Sequence, residues 1–196
     1  FKEFKRLYRT RMVQDFPSNE RPKLQGFRKR MLKYNEEVFI YSEDNKEKAY
    51  LIVDELEENY ILISFLAVYK EYRGQGIGSK LLKEIREKYQ NKKAILLEVE
   101  NPEYAKEKER TIMEKRISFY KKSDYEIVSN LEMEMFFVQY KIMALKNGDF
   151  IMDKETIARV IQNYYNKILK KPYRKFIKSK IKILIFLESE ANKFNF

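Results

Sequence analysis

The chain of 196 residues contains no cysteine and no histidine. Without cysteine there is no disulfide framework and no thiol nucleophile. Without histidine the usual imidazole base and the commonest zinc ligand are gone as well. Acid–base chemistry is left to carboxylates, tyrosine, lysine, water or the substrate, and no metal is expected. Long apolar runs are also missing. The longest in the tail, residues 181–187, is interrupted by Lys182 and is far too short to cross a bilayer. No signal-peptide pattern opens the chain, so the expected location is the cytoplasm. Because residue 1 is phenylalanine, the natural start is expected upstream.

What is present argues for a packed domain. Hydrophobic residues make up 44% and aromatic residues 15% of the chain, enough for one sizeable core with an appendage. The net charge of +11 is uneven: residues 1–34 carry +8, residues 35–164 carry −4 and residues 165–196 carry +7. Basic ends suit nucleic acid or an acidic membrane surface. From Lys167 to Lys182 there are eight Lys/Arg and no acid, interleaved with Tyr173, Phe176 and Ile177. The competing reading of that tail is a solvated helix end followed by a poorly ordered segment. In it, residues 181–187 dock on the domain or on a second copy, which makes a homodimer a candidate assembly. Abundant Lys, Ile, Asn and Tyr also follow from an AT-rich genome, which weighs against nucleic acid as a partner.

Glycine is scarce, with five in the chain, yet three of them fall at Gly74, Gly76 and Gly78. Before them runs an apolar stretch of strand length, residues 60–69. After them Ile77, Leu81, Ile85 and Tyr89 recur at the spacing of one helix face. Strand, glycine turn, helix places a row of free N–H groups at a helix N-terminus, which suits a phosphate. The spacing G-x-G-x-G is neither the dinucleotide fingerprint nor a P-loop. It fits Arg-x-x-Gly-x-Gly, filled by Arg73, Gly76 and Gly78, with Ala67-Val68 five residues ahead of the arginine. This resembles the acyl-CoA pyrophosphate loop of the GNAT N-acetyltransferases.

The resemblance implies an acetyl-CoA co-substrate. Its pyrophosphate would be cradled by Arg73, Gly74, Gln75, Gly76, Ile77, Gly78 and Ser79, and its pantetheine arm would pair with the backbone of Leu66, Ala67 and Val68. The fold it implies is α/β (α+β), a mixed, mostly antiparallel twisted sheet with helices on both faces. The pattern along the chain agrees. Helices are expected at 2–14 and from a cap at Ser18 or Asn19 to about residue 32. Strands follow at 38–41, 49–53 and 59–69, then the loop and a helix to about 90. A strand at 94–100, a helix over 104–122 and strands at 125–129 and 136–145 complete the pattern. A final helix runs from the cap Asp153 to about 170. The acetyltransferase domain is expected over 1–146, with a C-terminal helix and basic tail over 147–196. The family's first strand has no counterpart and is expected before residue 1.

A second phrase, Ile117-Ser-Phe-Tyr-Lys-Lys-Ser-Asp-Tyr125, resembles the family's other signature. Tyr120 matches the tyrosine beside the thioester sulfur, and the resemblance gives it the general-acid role toward the departing thiolate. The family's glycine is Asp124 here, a residue that tolerates the left-handed conformation. The family's asparagine seven residues before the tyrosine is Met113, a departure that removes one cofactor contact. Phe16-Pro-x-x-Glu20-Arg21 and Arg116-Ile-x-Phe-Tyr120 are similar to phrases of small acetyltransferases from low-GC bacteria.

For the base, strand 94–100 places Leu96, Glu98 and Glu100 on one face. An acid in mid-strand of a covered sheet is costly unless it lines a cavity or is paired. Glu98, in Leu-Glu-Val, resembles the base of the ribosomal-protein alanine acetyltransferases; Glu100 would hold the amine. The base remains open between Glu98, Glu100 and water. The expected reaction is direct attack of a primary amine on acetyl-CoA in a ternary complex. The acidic centre, with Glu132 and Glu134, leans toward a cationic acceptor. The rival is a basic nucleic-acid or membrane-surface module on the same scaffold without catalysis.

Overall fold

The structure is a computed structural model that describes residues 1–18, 20–149 and 151–181. Seven strands form one sheet in the order β1-β2-β3-β4-β6-β5-β7. They are β1 (Glu37–Glu43), β2 (Lys46–Glu55), β3 (Tyr60–Val68), β4 (Ala94–Glu100), β5 (Glu126–Met135), β6 (Val138–Lys146) and β7 (Ile177–Ile181). Every pairing is antiparallel except β3 with β4, which the helix α4 (Ile77–Lys88) connects. The mostly antiparallel sheet with helices on both faces matches the sequence reading.

Helices cover both faces because the strands are apolar on both. On one face lie α1 (Lys2–Leu7), its continuation through a π-helical segment (Tyr8–Met12) into α2 (Val13–Asp15), α3 (Leu24–Tyr34) and α6 (Lys154–Ile168). Phe4, Leu7, Met12 and Phe27 pack on Tyr50, Ile52, Phe65 and Ala67, and Ile157, Val160 and Ile161 pack on Leu62, Leu96 and Ile142. On the other face Leu82 and Ile85 of α4 and Ile117 and Tyr120 of α5 (Glu107–Lys121) close over Val53, Ile61, Ile95 and Val99. Asp153 caps α6, its carboxylate accepting from the N–H of Glu155 (3.3 Å) and Thr156 (2.8 Å).

Three expectations are corrected. The second helix starts at Leu24, with Lys23 at its cap and no side-chain cap bond, so Ser18 does not cap it; Asn19 lies outside the described residues. Pro22 holds Arg21 away from the helical region, so the helix cannot begin earlier. The strand expected at 125–129 continues to Met135 as β5, and the hairpin turns at Phe136 and Phe137, both with positive φ (47° and 71°). The tail does not simply end in a solvated helix: the largely exposed α7 (Lys171–Arg174) leads into β7, which pairs with β5 from Leu131↔Ile181 to Met135↔Ile177. Ile177 is buried there, so residues 177–181 add a strand to the sheet. The docking expected of residues 181–187 lies almost wholly outside the described residues.

Candidate active site

The site begins where two strands part. β3 and β4 pair only from Tyr60↔Ala94 to Ile63↔Leu97. Past that point β3 stays bonded to β2, through a bulge between Ile52 and Val53, and β4 stays bonded to β6. Among the described residues the backbone of Leu66, Ala67 and Val68 therefore has no strand partner on its β4 side, an edge able to pair with an extended ligand.

At the end of β3 a 3₁₀ turn (Lys70–Tyr72) leads to the glycine loop. Gly74 (φ 77°) and Gly76 (φ 76°) are in the left-handed region with open space about them, so their need is conformational. Gly78 is different. A Cβ there would lie 2.9 Å from Cζ of Phe119, so its absence lets α4 approach α5. Gly76 stands at the cap of α4, and the Lys80 N–H bonds back to its carbonyl at 3.0 Å. The amides before Lys80 belong to the first turn, whose N–H groups lack intrahelical partners. Arg73 Nε donates to the Val68 carbonyl at 3.0 Å, tying loop to strand end. A separate cavity of about 520 Å³ runs along α4 toward its C-terminal end, lined among others by Ser79, Lys83, Arg86, Glu87 and Asp124, and touches neither β3 nor β4. The loop and the strand edge are the features that bear on a ligand. These features fit a pyrophosphate with an extended arm.

Tyr120 lies on α5, buried beside Phe119 (5.0 Å between ring centres) and Tyr125 (5.9 Å). Burial pushes its phenol up to about 12, with Arg116 pulling slightly the other way. Asp124 takes the left-handed turn (φ 64°) and accepts from Arg86 Nη1 at 2.7 Å.

Glu98 is the first residue of β4 past the last β3–β4 pair. Part of its surface stays accessible, but its Oε1 is covered and accepts no hydrogen bond from the described residues. Tyr165 Oη of α6 donates to Oε2 at 2.6 Å. Burial raises the carboxyl to about 7; the Tyr165 hydrogen bond and Arg30 lower it, and Asp54 adds to the rise. Glu100, two residues on, is paired with Arg116 Nη1 at 2.7 Å, so the structure separates the two carboxylates: Glu98 is hydrogen-bonded to Tyr165 with one oxygen covered, and Glu100 is ion-paired. Of the other acids, Glu132 accepts from Asn101 Nδ2 (3.0 Å) and Glu134 from Gln139 Nε2 (2.9 Å).

Several participants were not read from the sequence. Tyr165 is one. Glu20 is another: burial, then the Glu100 charge, raises its carboxyl, while Arg116 lowers it. Tyr140, opposite Glu100 in the β4–β6 ladder, sits in the field of Glu20, Glu98 and Glu100. The Phe-Pro-x-x-Glu-Arg phrase holding Glu20 was the one available signal. Behind Glu98 lies a buried polar group. Arg30 pairs with Glu36 (2.6 Å) and Asp54 (3.1 Å) and donates to Tyr164 Oη (2.7 Å), and Ser64 donates to Asp54.

The site is thus a strand pair that parts beside a glycine-capped helix, with a buried tyrosine on α5 and a largely buried carboxylate on β4. Residues 34–127 match the acetyltransferase (GNAT) domain family. Over 86 residues it is 35% identical to the putative acetyltransferase YjbC of Bacillus subtilis (strain 168), a segment covering 44% of this chain and 41% of that protein. Among solved structures, a putative GNAT-family acetyltransferase from Bacteroides thetaiotaomicron superposes with a TM-score of 0.67 at 19% identity, covering 88% of this chain and 93% of the other. A GNAT family acetyltransferase from Elizabethkingia anophelis with acetyl-CoA bound gives 0.51 at 15% identity, covering 64% and 84%. No helix among the described residues is long and apolar enough to cross a membrane, and no group of three or more metal-ligating side chains occurs among them.

Proposed function

We propose that the protein is an acetyl-CoA-dependent N-acetyltransferase that moves the acetyl group to a primary amine by direct attack in a ternary complex. The observation that carries this reading is Glu98. A buried carboxyl raised to about 7, at the point where β3 and β4 part, matches a base working near neutrality. The glycine loop and the β4-side edge of β3 support the donor, as does the acetyl-CoA held by the Elizabethkingia structure.

In this mechanism the loop amides from Arg73 to Ser79 hold the pyrophosphate. The backbone of Leu66–Val68 pairs with the pantetheine amides, and an N–H near Val68 polarises the acetyl carbonyl. Glu98 takes a proton from the ammonium, and the amine lone pair then attacks the carbonyl carbon. As the tetrahedral adduct collapses, the C–S bond breaks and Tyr120 gives its proton to the leaving thiolate. The nitrogen loses its second ammonium proton, which restores the Tyr120 phenol, leaving the amide, the free thiol and one proton on Glu98. Holding amine and thioester together supplies much of the acceleration. The combined charge of Glu20, Glu98 and Glu100, offset in part by Arg116, favours a cationic acceptor.

Two measurements test the reading. Acetyl-CoA at millimolar concentration should raise the melting temperature, because a ligand bound only by the folded state stabilises it. Free thiol should then appear on adding primary amines such as spermidine or an alanyl peptide. No thermal shift overturns the donor; a shift without thiol release across the amines overturns the transferase.

A further inference from the structure

The helix α6 lies beyond the segment matched to the acetyltransferase family, residues 34–127, yet it supplies the hydrogen-bond partner of Glu98. Two adjacent tyrosines of α6 divide the task. Tyr164 Oη accepts from Arg30 Nη2 at 2.7 Å, and Tyr165 Oη donates to Glu98 Oε2 at 2.6 Å. Their rings pack edge to face, 5.1 Å between centres. Tyr164 is thereby tied to α3 and β2 through Arg30 and Asp54, and this fixes the turn of α6 that carries Tyr165. The result is asymmetric: Oε2 is held and Oε1 accepts nothing from the described residues.

We propose that Tyr165 is a positioning residue for acyl transfer. Its hydroxyl holds Oε2 of Glu98 and so fixes the carboxyl that takes the proton of the amine, which makes α6 a working part of the site. The proposal rests on the reading of Glu98 as the base. A phenol donating to a carboxylate favours the ionised form. The other groups acting on Glu98 are Asp54 from β2 and Arg30 from α3, with Tyr140 beside it on β6. All of them remain when Tyr165 loses only its hydroxyl.

The test compares the wild-type chain with Tyr165→Phe and Tyr165→Leu by two readouts. One is the carboxyl ¹³C titration of glutamate-labelled protein. The other is the pH profile of kcat/KM with acetyl-CoA and whichever of spermidine or an alanyl peptide is turned over. Both variants should move the Glu98 midpoint and the acid limb up by about one pH unit. A midpoint moving from 7 to 8 lowers the ionised fraction at pH 7 by about fivefold, and activity there should fall at least as far. KM for acetyl-CoA should not change. A midpoint that stays in place in both variants, with only melting temperature or kcat reduced, overturns the proposal and leaves Tyr165 a packing residue. Glu98→Gln separates the two claims. Full activity in that variant defeats the base itself, whereas its loss together with an unmoved Tyr165→Phe profile defeats only the clamp.

Discussion

Replacing Glu98 by glutamine should cost activity and yield stability, and the stability gain should depend on pH. In the folded protein the carboxyl titrates at about 7 against an ordinary 4.5, chiefly through burial. The sign follows from proton counting. Between those values the folded chain holds a proton that the unfolded chain has released, so stability falls as pH rises from 4.5 to 7. Below 4.5 the penalty is absent, and above 7 it is complete. At about 1.4 kcal/mol per pH unit the displacement corresponds to about 3 kcal/mol. Water at the accessible part of the residue screens some of it, leaving about 2 kcal/mol. For a chain of this size that is roughly 4–8 °C in melting temperature. The cost of burying the amide of glutamine is the same at every pH, so the diagnostic is the change in Tm difference between pH 5 and pH 9. Scanning calorimetry across that range measures it, and thiol release measures activity, which should drop by about 10²–10⁴-fold. A difference in Tm that is constant from pH 5 to pH 9 would refute the assignment of a largely buried, proton-holding Glu98.

Two further outcomes follow from the same geometry. Tyr120→Phe keeps the ring packed against Phe119 and Tyr125 and should lower kcat by about 10²-fold or more with acetyl-CoA binding nearly intact by titration calorimetry; equal loss of both would count against the acid role. Phe137→Gly removes a left-handed, 78% exposed phenylalanine and should stabilise the chain by about 1 kcal/mol in a urea melt, less what the Phe176 ring contact at 5.5 Å contributes; no gain would mean that this ring contact outweighs the backbone strain.

How much of this was legible in the sequence depended on how local each signal was. The glycine loop was legible because its causes are contiguous. Gly74 and Gly76 need a backbone only glycine adopts freely, Ile77, Leu81 and Ile85 mark the helix face, and all lie within a dozen residues. Glu98 was legible as an anomaly, an acid inside an apolar strand. Tyr165 was not, because it meets Glu98 from 67 positions away and reads as the edge of an amphipathic helix. The hairpin was misplaced because Phe136 and Phe137 occupy positive φ without the Asn or Gly that announces such a turn. β7 was missed because Lys178 and Lys180 break its apolar pattern; its place comes from pairing along β5, where Lys178 also meets Glu134 at 3.5 Å.

The cost of the site lies in one place, behind the point where β3 and β4 part. Arg30 is buried with Glu36 and Asp54, so one guanidinium faces two carboxylates, and Glu98 brings a third into their field. Burial, opposed by Arg30, raises the Glu36 carboxyl as well. A fold selected for stability alone would fill such a space with apolar side chains at no loss and often at a gain. The cluster instead ties α3, β2, β3 and α6 together through side chains of fixed geometry: Arg30, Asp54, Ser64 and Tyr164. Those same elements border the opening, and the partner of Glu98 extends from the one that ends the network. A rigid frame around a proton-holding carboxylate is what a base needs in order to meet an incoming amine in one orientation. With Glu98 as the proposed base, the stability given up in burying these charges is spent beside the proposed reaction centre, where perturbed titrating groups have a use.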